Sequence, residues 1–302
     1  MQLTRRTLIA ASATLAAAGP ARAQVASTRL GAAELAVLTD GTITLPGTML
    51  ARNAPREEVN GLLTAAGLPT EEVTNALNVP VLRTGEDLVM FDTGAGRNFL
   101  PTTGRLPDSM ERAGMDPAKV RHVLFTHAHP DHLWGALDEF DTPACPNATY
   151  HIAQAEWDFW FDPGVYGRLP EDRHAFAAGA QRVLKALEPQ IKRFKPGDEM
   201  VSGIAAIDTK GHTPGHVSFE VRLGGDPFVV VGDAFTHPVL SFARPDWSTG
   251  FDQDGATAAA SRRRLLGKLA SEKLAFSAYH LPRGGLGRAE ASGTAFRFVP
   301  AA

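Results

Sequence analysis

A chain of 302 residues, 44% hydrophobic and 21% charged, can form one large domain or two small ones and has the balance of a globular protein, not a fibrous or disordered one. Its 30 basic and 33 acidic residues include no basic block that could track a phosphate backbone, which excludes nucleic acid as a partner. The lone cysteine, Cys145, excludes an internal disulfide, and between Pro143 and Pro146 it reads as a loop or core residue.

The first 23 residues, "MQLTRRTLIAASATLAAAGPARA", place basic residues before a modest apolar stretch and end on Ala21-Arg22-Ala23, an A-x-A cleavage site. That is the pattern of a signal peptide, too short to span a membrane. Arg5-Arg6 ahead of Thr7-Leu8-Ile9 resembles a twin-arginine export signal, which implies a bacterial protein delivered folded to the periplasm or beyond. Removing Arg5, Arg6 and Arg22 leaves 27 basic against 33 acidic residues, a formal net charge of −6 for the single domain expected over residues 24–302.

Along that domain, "ELAVLTDGTITLP" reads as a hairpin. Residues 53–78 read as helical and polar, forming either a lid or ordinary surface packing. "DLVMFDTGAG" is a strand running into Asp92, "PDSMERAGM" a helix, and "VRHVLFTHAHPDHLWG" a strand running into His127, with a helix expected from Asp131 through Leu133 to Phe140. After the strand "ATYHIA" come helix candidates "QAEWDFW" and "HAFAAGAQRVLKALEPQIKRF". The strands "GIAAIDTKGHTPGH", "PFVVVGDAF" and "KLAFSAYHLP" reach His212, Asp233 and His280. Between the last two, "DGATAAASRRRLLGKLASE" carries Leu265, Leu266 and Leu269 on one helical face. Alternating strands and helices predict an α/β sandwich with its special residues at strand ends, where loops on a rigid sheet hold polar groups.

Packing has no use for three histidines and an aspartate within His127–His132. In an extended segment His127 and His129 point the same way, and Pro130 breaks the strand so that Asp131 and His132 turn to a second position. Imidazole and carboxylate together suit zinc, with manganese, iron or cobalt as alternatives. The inventory predicts two divalent ions. His127, His129 and His212 would hold one, Asp131, His132 and His280 the other, and Asp233 would bridge them.

With its H-x-H-x-D-H run, "GHTPGH", "VVVGDAF" and "FDTGAG", the chain resembles the metallo-β-lactamase superfamily over essentially all of residues 24–302. The resemblance implies a four-layer αββα sandwich and the two-metal assignment. It places Asp92 as a carboxylate behind the metal histidines and His216 as a hydrogen-bonding neighbour. Such a site implies hydrolysis by an activated water, with Asp131 and Asp233 orienting the nucleophile and taking its proton. Asp233 and the context of Cys145 argue against true β-lactamase activity. No flavin domain, nucleic-acid domain or glutathione-binding helical part is recognisable.

The ending "YHLPRGGLGRAEASGTAFRFVP" and the helix "QAEWDFW" are similar to the methyl parathion hydrolase-like and acyl-homoserine lactone lactonase-like branch. That match implies a small-molecule lactone, ester or aryl phosphotriester as substrate, and Phe99, Trp160 and Phe176 as pocket residues. It also implies a homodimer. Trp134 and Arg283 depart from the branch, adding bulk near the site and a positive charge at the expected mouth. Phe235, Phe242 and Trp247 either close a pocket wall or pack a loop. Two other classes stay open: a mononuclear iron protein oxidising persulfides, and a non-catalytic metal-binding protein.

Overall fold

The computed structural model describes residues 26–301. The export segment expected over residues 1–23 lies outside them. Two seven-stranded sheets face each other. The first holds, in order, β1 (Ala26–Leu30), β2 (Ala33–Pro46), β3 (Glu72–Thr84), β4 (Asp87–Phe91), β5 (Val120–Leu124), β6 (Thr149–Ala153) and β7 (Ile191–Phe194). The second runs from β14 (Ala295–Pro300) through β13 (Leu286–Ser292), β12 (Ala275–Ser277), β11 (Phe228–Val230), β10 (Val217–Val221) and β9 (Ile204–Asp208) to β8 (Glu199–Val201).

Sequence pattern explains the layering. Leu35, Val37, Leu82, Val89, Phe91 and Leu124 of the first sheet meet Val217, Phe219, Val221, Phe228 and Val230 of the second in one buried cluster. The other face of the first sheet is covered by the helices Leu106–Arg112, Gln154–Trp160 and His174–Leu187, and that of the second by helix Gly255–Ser271. Leu265, Leu266 and Leu269 point inward from that last helix, as their spacing requires. The result is the expected four-layer αββα sandwich. β11, buried on both faces, reads as a continuous apolar run because neither face meets water.

Four local expectations differ from the structure. The segment "ELAVLTDGTITLP" is not a hairpin. β2 passes straight through it with a bulge between Thr39 and Gly41, where Gly41 adopts φ 113° and a Cβ would lie 2.0 Å from the Thr102 carbonyl oxygen. Residues 53–78 are only partly helical: helix Arg56–Ala65 ends before β3, whose twelve-pair ladder with β2 overrides the helical propensity of "EEVTNALN". The helix expected from Asp131 to Phe140 is one turn, Pro130–Leu133, followed by a 3-10 turn at Trp134–Ala136. Gly135 there packs so tightly that a Cβ would sit 2.1 Å from the Thr93 carbonyl oxygen. Finally, "EPQIKRF" lies beyond the helix, which ends at Leu187: Glu188–Gln190 forms a 3-10 turn around Pro189, and Ile191–Phe194 becomes β7.

Outside the metal cluster, His122 of β5 and His151 of β6 sit side by side, Nδ1 to Nε2 at 3.1 Å. Burial, then the charges of His122 and Lys192, push the His151 pKa down to about 4. The unfolded chain therefore binds this proton first as pH falls from about 6.5, so His151 withdraws stability between there and about 4. At about 1.4 kcal/mol per unit the loss reaches ~3 kcal/mol. The melting temperature of a His151→Gln variant should fall less steeply across that window than that of the wild type. Parallel curves would refute this.

Candidate metal centre and cavity

The sandwich brings all seven expected ligands to one edge, at the ends of β5, β9, β11 and β12. His127 Nε2 and His212 Nε2 each lie 3.0 Å from His129 Nδ1. An N···N edge of ~3.3 Å is what tetrahedral zinc with 2.0–2.1 Å bonds requires. Asp131 Oδ2 lies 3.4 Å from His280 Nε2 and 3.6 Å from His132 Nε2. Asp233 stands between the groups, its Oδ2 3.3 Å from His212 Nε2 and 3.2 Å from His280 Nε2, its Oδ1 3.4 Å from His132 Nε2.

This donor set fits two cations. His132 Nε2 and Asp233 Oδ1 are buried with no hydrogen-bond partner, although both face the cluster centre. Burial first, then neighbouring histidines, keeps His127 and His129 well below the usual imidazole pKa, so both are neutral and ligand-competent. At His132 and His280 burial is outweighed by Asp233 and Asp131, which raise both pKa values. That half of the site is acid-rich and stabilises positive charge.

Behind the cluster, each ring is held by its other nitrogen or by its neighbours. Asp92, at φ 61°, takes the His132 Nδ1 proton at 2.8 Å and also accepts from Thr126 N and Oγ1. A left-handed aspartate is strained, and here the strain aims a carboxylate at a ligand ring. His280 Nδ1 donates to the Ala76 carbonyl at 3.0 Å. His216 stands clear of the ligand clusters: its Nε2 accepts from the Asp233 backbone N–H at 3.0 Å, fixing the turn that presents Asp233.

Sequence reasoning missed four supporting residues. Glu156, fully buried, accepts from Ala128 N, Gly215 N, Thr213 Oγ1 and Trp160 Nε1. Burial raises its pKa, yet every partner is a donor, so the pocket accommodates the carboxylate. Asp252 takes the His212 Nδ1 proton at 2.9 Å and is gripped by buried Arg262 at 3.2 Å. Burial alone would raise the Asp252 pKa, but His212 and Arg262 hold it below the usual range. Tyr279 donates to the Asp131 carbonyl at 2.6 Å and lays its ring 3.8 Å from that of His132. Asp40 accepts from the amides of Ala95, Gly104 and Leu106, pinning the loop after Asp92.

A cavity of about 240 Å³ opens over the cluster. Of the expected pocket residues, Phe99 and Phe176 line it. Trp160 does not: it is fully buried behind His129, ring centroids 6.0 Å apart, and spends its indole N–H on Glu156. Arg283 does not either, being exposed in a tight turn at φ 58°. Phe235, Phe242 and Trp247 are packed into apolar clusters, so they hold loops and form no wall. Helix Arg56–Ala65 supplies no lining residue; it packs through Val59 and Leu63 against Leu240 and Trp247, as surface packing and not a lid. Cys145 is buried core, its thiol pKa pushed up to about 12 by burial.

Trp134 supports the wall from behind, edge-on to Phe99 at 5.6 Å. Its indole lies across Gly179, where a Cβ would come 2.2 Å from Cζ2. Gly179→Ala should therefore cost ~1–3 kcal/mol by overpacking and shift the Trp134 fluorescence. A melting temperature within a degree of wild type would contradict this contact.

The metallo-beta-lactamase superfamily model matches residues 76–278. N-acyl homoserine lactonase AttM of Agrobacterium fabrum is 33% identical over 137 residues, covering 42% of this chain and 46% of AttM. The probable metallo-hydrolase Rv2300c of Mycobacterium tuberculosis is 28% identical over 182 residues, 53% of this chain and 57% of that protein. The chain thus spans about half the length of these curated relatives. Among solved structures, the dizinc quorum-quenching lactonase AidC, in complex with a product, superposes with a TM-score of 0.86 at 29% identity, over 92% of this chain and 97% of AidC. The hydrolase AbOPH gives the same TM-score and coverage at 26% identity. With the family model spanning most of the chain and both sheets in place behind an H-x-H-x-D-H loop, the protein belongs to the metallo-beta-lactamase superfamily.

Proposed function

We propose that this protein is an exported hydrolase of N-acyl lactones that works with two divalent metal ions, zinc by preference. The observation that carries the reading is the convergence of seven imidazole and carboxylate side chains, five of which line a largely apolar cavity. The likeness to AidC and AttM, both described as lactonases, favours a lactone over other electrophiles.

Bound at His127, His129, His212 and at Asp131, His132, His280, with Asp233 between, the ions would lower the pKa of water and polarise the scissile carbonyl. The chain's own residues do the rest. Asp131 and Asp233 both line the cavity, so their carboxylate oxygens can orient the attacking water and hold the proton it releases. Leu45, Met49, Leu50, Phe99, Phe176 and Phe251 form an apolar wall that takes the acyl chain and excludes bulk water. The three phenylalanine rings also favour a second substrate class, aryl phosphotriesters.

Elemental analysis of the purified protein should find two ions per chain. The same sample should hydrolyse an N-acyl homoserine lactone faster than an aryl ester or an aryl phosphotriester. A phosphotriester preference would select the second class. One iron per chain with no turnover of any of the three would overturn the hydrolase reading and favour persulfide oxidation. Export predicts a mature protein beginning at Gln24, and N-terminal sequencing of periplasmic material checks it.

A further inference from the structure

Asn75 is a polar side chain set among apolar positions of the cavity wall. Along the inward face of β3, Val73, Leu77, Val79 and Val81 are buried and apolar, and Asn75 interrupts them. Asn75 is 5% exposed and pairs across the strands with Ile43, which also lines the cavity. Among the described residues its carboxamide makes no side-chain hydrogen bond, although it opens into the cavity. Neither of its amide atoms is fully buried, so the carboxamide is open to a ligand in the cavity, while the inward positions beside it are filled by valine or leucine. Its neighbour Ala76 accepts the His280 Nδ1 proton, so Asn75 sits one residue from the strand atom that anchors a ligand histidine.

We infer that Asn75 is a specificity residue that hydrogen-bonds the side-chain amide of the substrate, away from the bond being cleaved. The inference rests on the lactone reading above. A secondary amide offers both an N–H, for Oδ1, and a carbonyl, for Nδ2. A plain γ-lactone with an alkyl tail offers neither beyond its ring. Ile43, Leu45 and Phe99, which also line the cavity, cannot make that distinction; Thr236 and Thr249 are its other polar residues outside the candidate ligands, and the Thr249 hydroxyl already accepts from Phe251 N. Asn75 therefore sets the preference for amide-bearing lactones, while the metal ligands and their carboxylates act on the ring.

The test is a ratio: kcat/KM for an N-acyl homoserine lactone over kcat/KM for an alkyl γ-lactone of matched length, with metal content measured on each sample. In Asn75→Ala the ratio should fall about 5- to 10-fold, the worth of one hydrogen bond, chiefly through KM on the amide substrate. Asn75→Ser, which keeps a hydroxyl in place of the carboxamide, should recover part of it and serves also if the alanine variant does not fold. A ratio within twofold of wild type in a folded, metal-loaded variant overturns the role of Asn75 and leaves the lactonase reading standing. Wild-type protein that turns over neither lactone overturns both.

Discussion

Replacing Asp233 by alanine should leave a folded protein that holds fewer than two ions and has lost about a thousandfold or more in kcat/KM. The reason is positional. Asp233 has one oxygen toward His132 and the other toward His212 and His280, so among the described residues it is the carboxylate that contacts both candidate ligand groups. Burial would raise its pKa, but the charges of His280 and His132 outweigh that and hold it ionised. Removing it takes away the shared ligand and leaves the acid-rich half with Asp131 alone. A two-ion clamp is worth several kcal/mol of transition-state charge stabilisation, and about 4 kcal/mol corresponds to a thousandfold in rate. Asp233→Asn, which keeps one oxygen ligand, should retain an intermediate metal content. Elemental analysis and steady-state kinetics on the same samples decide the matter: two ions and near wild-type turnover in Asp233→Ala would remove the bridge from the argument.

The candidate ligands were legible in the sequence because each is written locally. His127 to His132 form a run with no packing rationale, and His212, Asp233 and His280 each close a short apolar strand. The layers were legible for the same reason, since strand and helix periodicities alternate. What was not legible depends on contacts distant in sequence. Glu156 sits in a helix beside Asp158, which is exposed, and nothing in "QAEWDFW" distinguishes the buried acid from the solvated one. Its partners Thr213 and Gly215 are 57 and 59 residues away. Asp252 lies in a loop 40 residues from the His212 ring that it holds. Asp40-Gly41 carries the strongest short hairpin signal and misleads, because the Asp40 carboxylate is recruited by three amides from residues 95–106. Trp160 misled for a related reason: the helix that carries it was placed correctly, but its indole points at Glu156 and not into the cavity.

The same contacts make Glu156 the site's most sensitive position outside the ligands. Its Oε1 accepts Ala128 N at 2.9 Å and Trp160 Nε1 at 2.7 Å, and its Oε2 accepts Thr213 Oγ1 at 2.6 Å and Gly215 N at 3.0 Å. Ala128 lies between His127 and His129, and Thr213 and Gly215 follow His212, so one carboxylate joins both loops of the three-histidine group. Glu156→Ala would strand four buried donors, each costing ~1–3 kcal/mol when left unpaired. Because relaxation and entering water recover part of that, the net loss should be about 3–5 kcal/mol. The loosened histidines should bind metal about 10- to 100-fold more weakly, the range for lost supporting partners. Glu156→Gln keeps Oε1 for one pair of donors and sets an amide NH2 against the other. The Thr213 hydroxyl can rotate to accept from it, but the Gly215 amide cannot, so this variant should fall between alanine and wild type in both properties. Thermal melting gives the first property and competition with a chelator the second. If Glu156→Ala melts like wild type and keeps its metal against the chelator, the two loops are held by their backbones, and the carboxylate is not what positions the ligands.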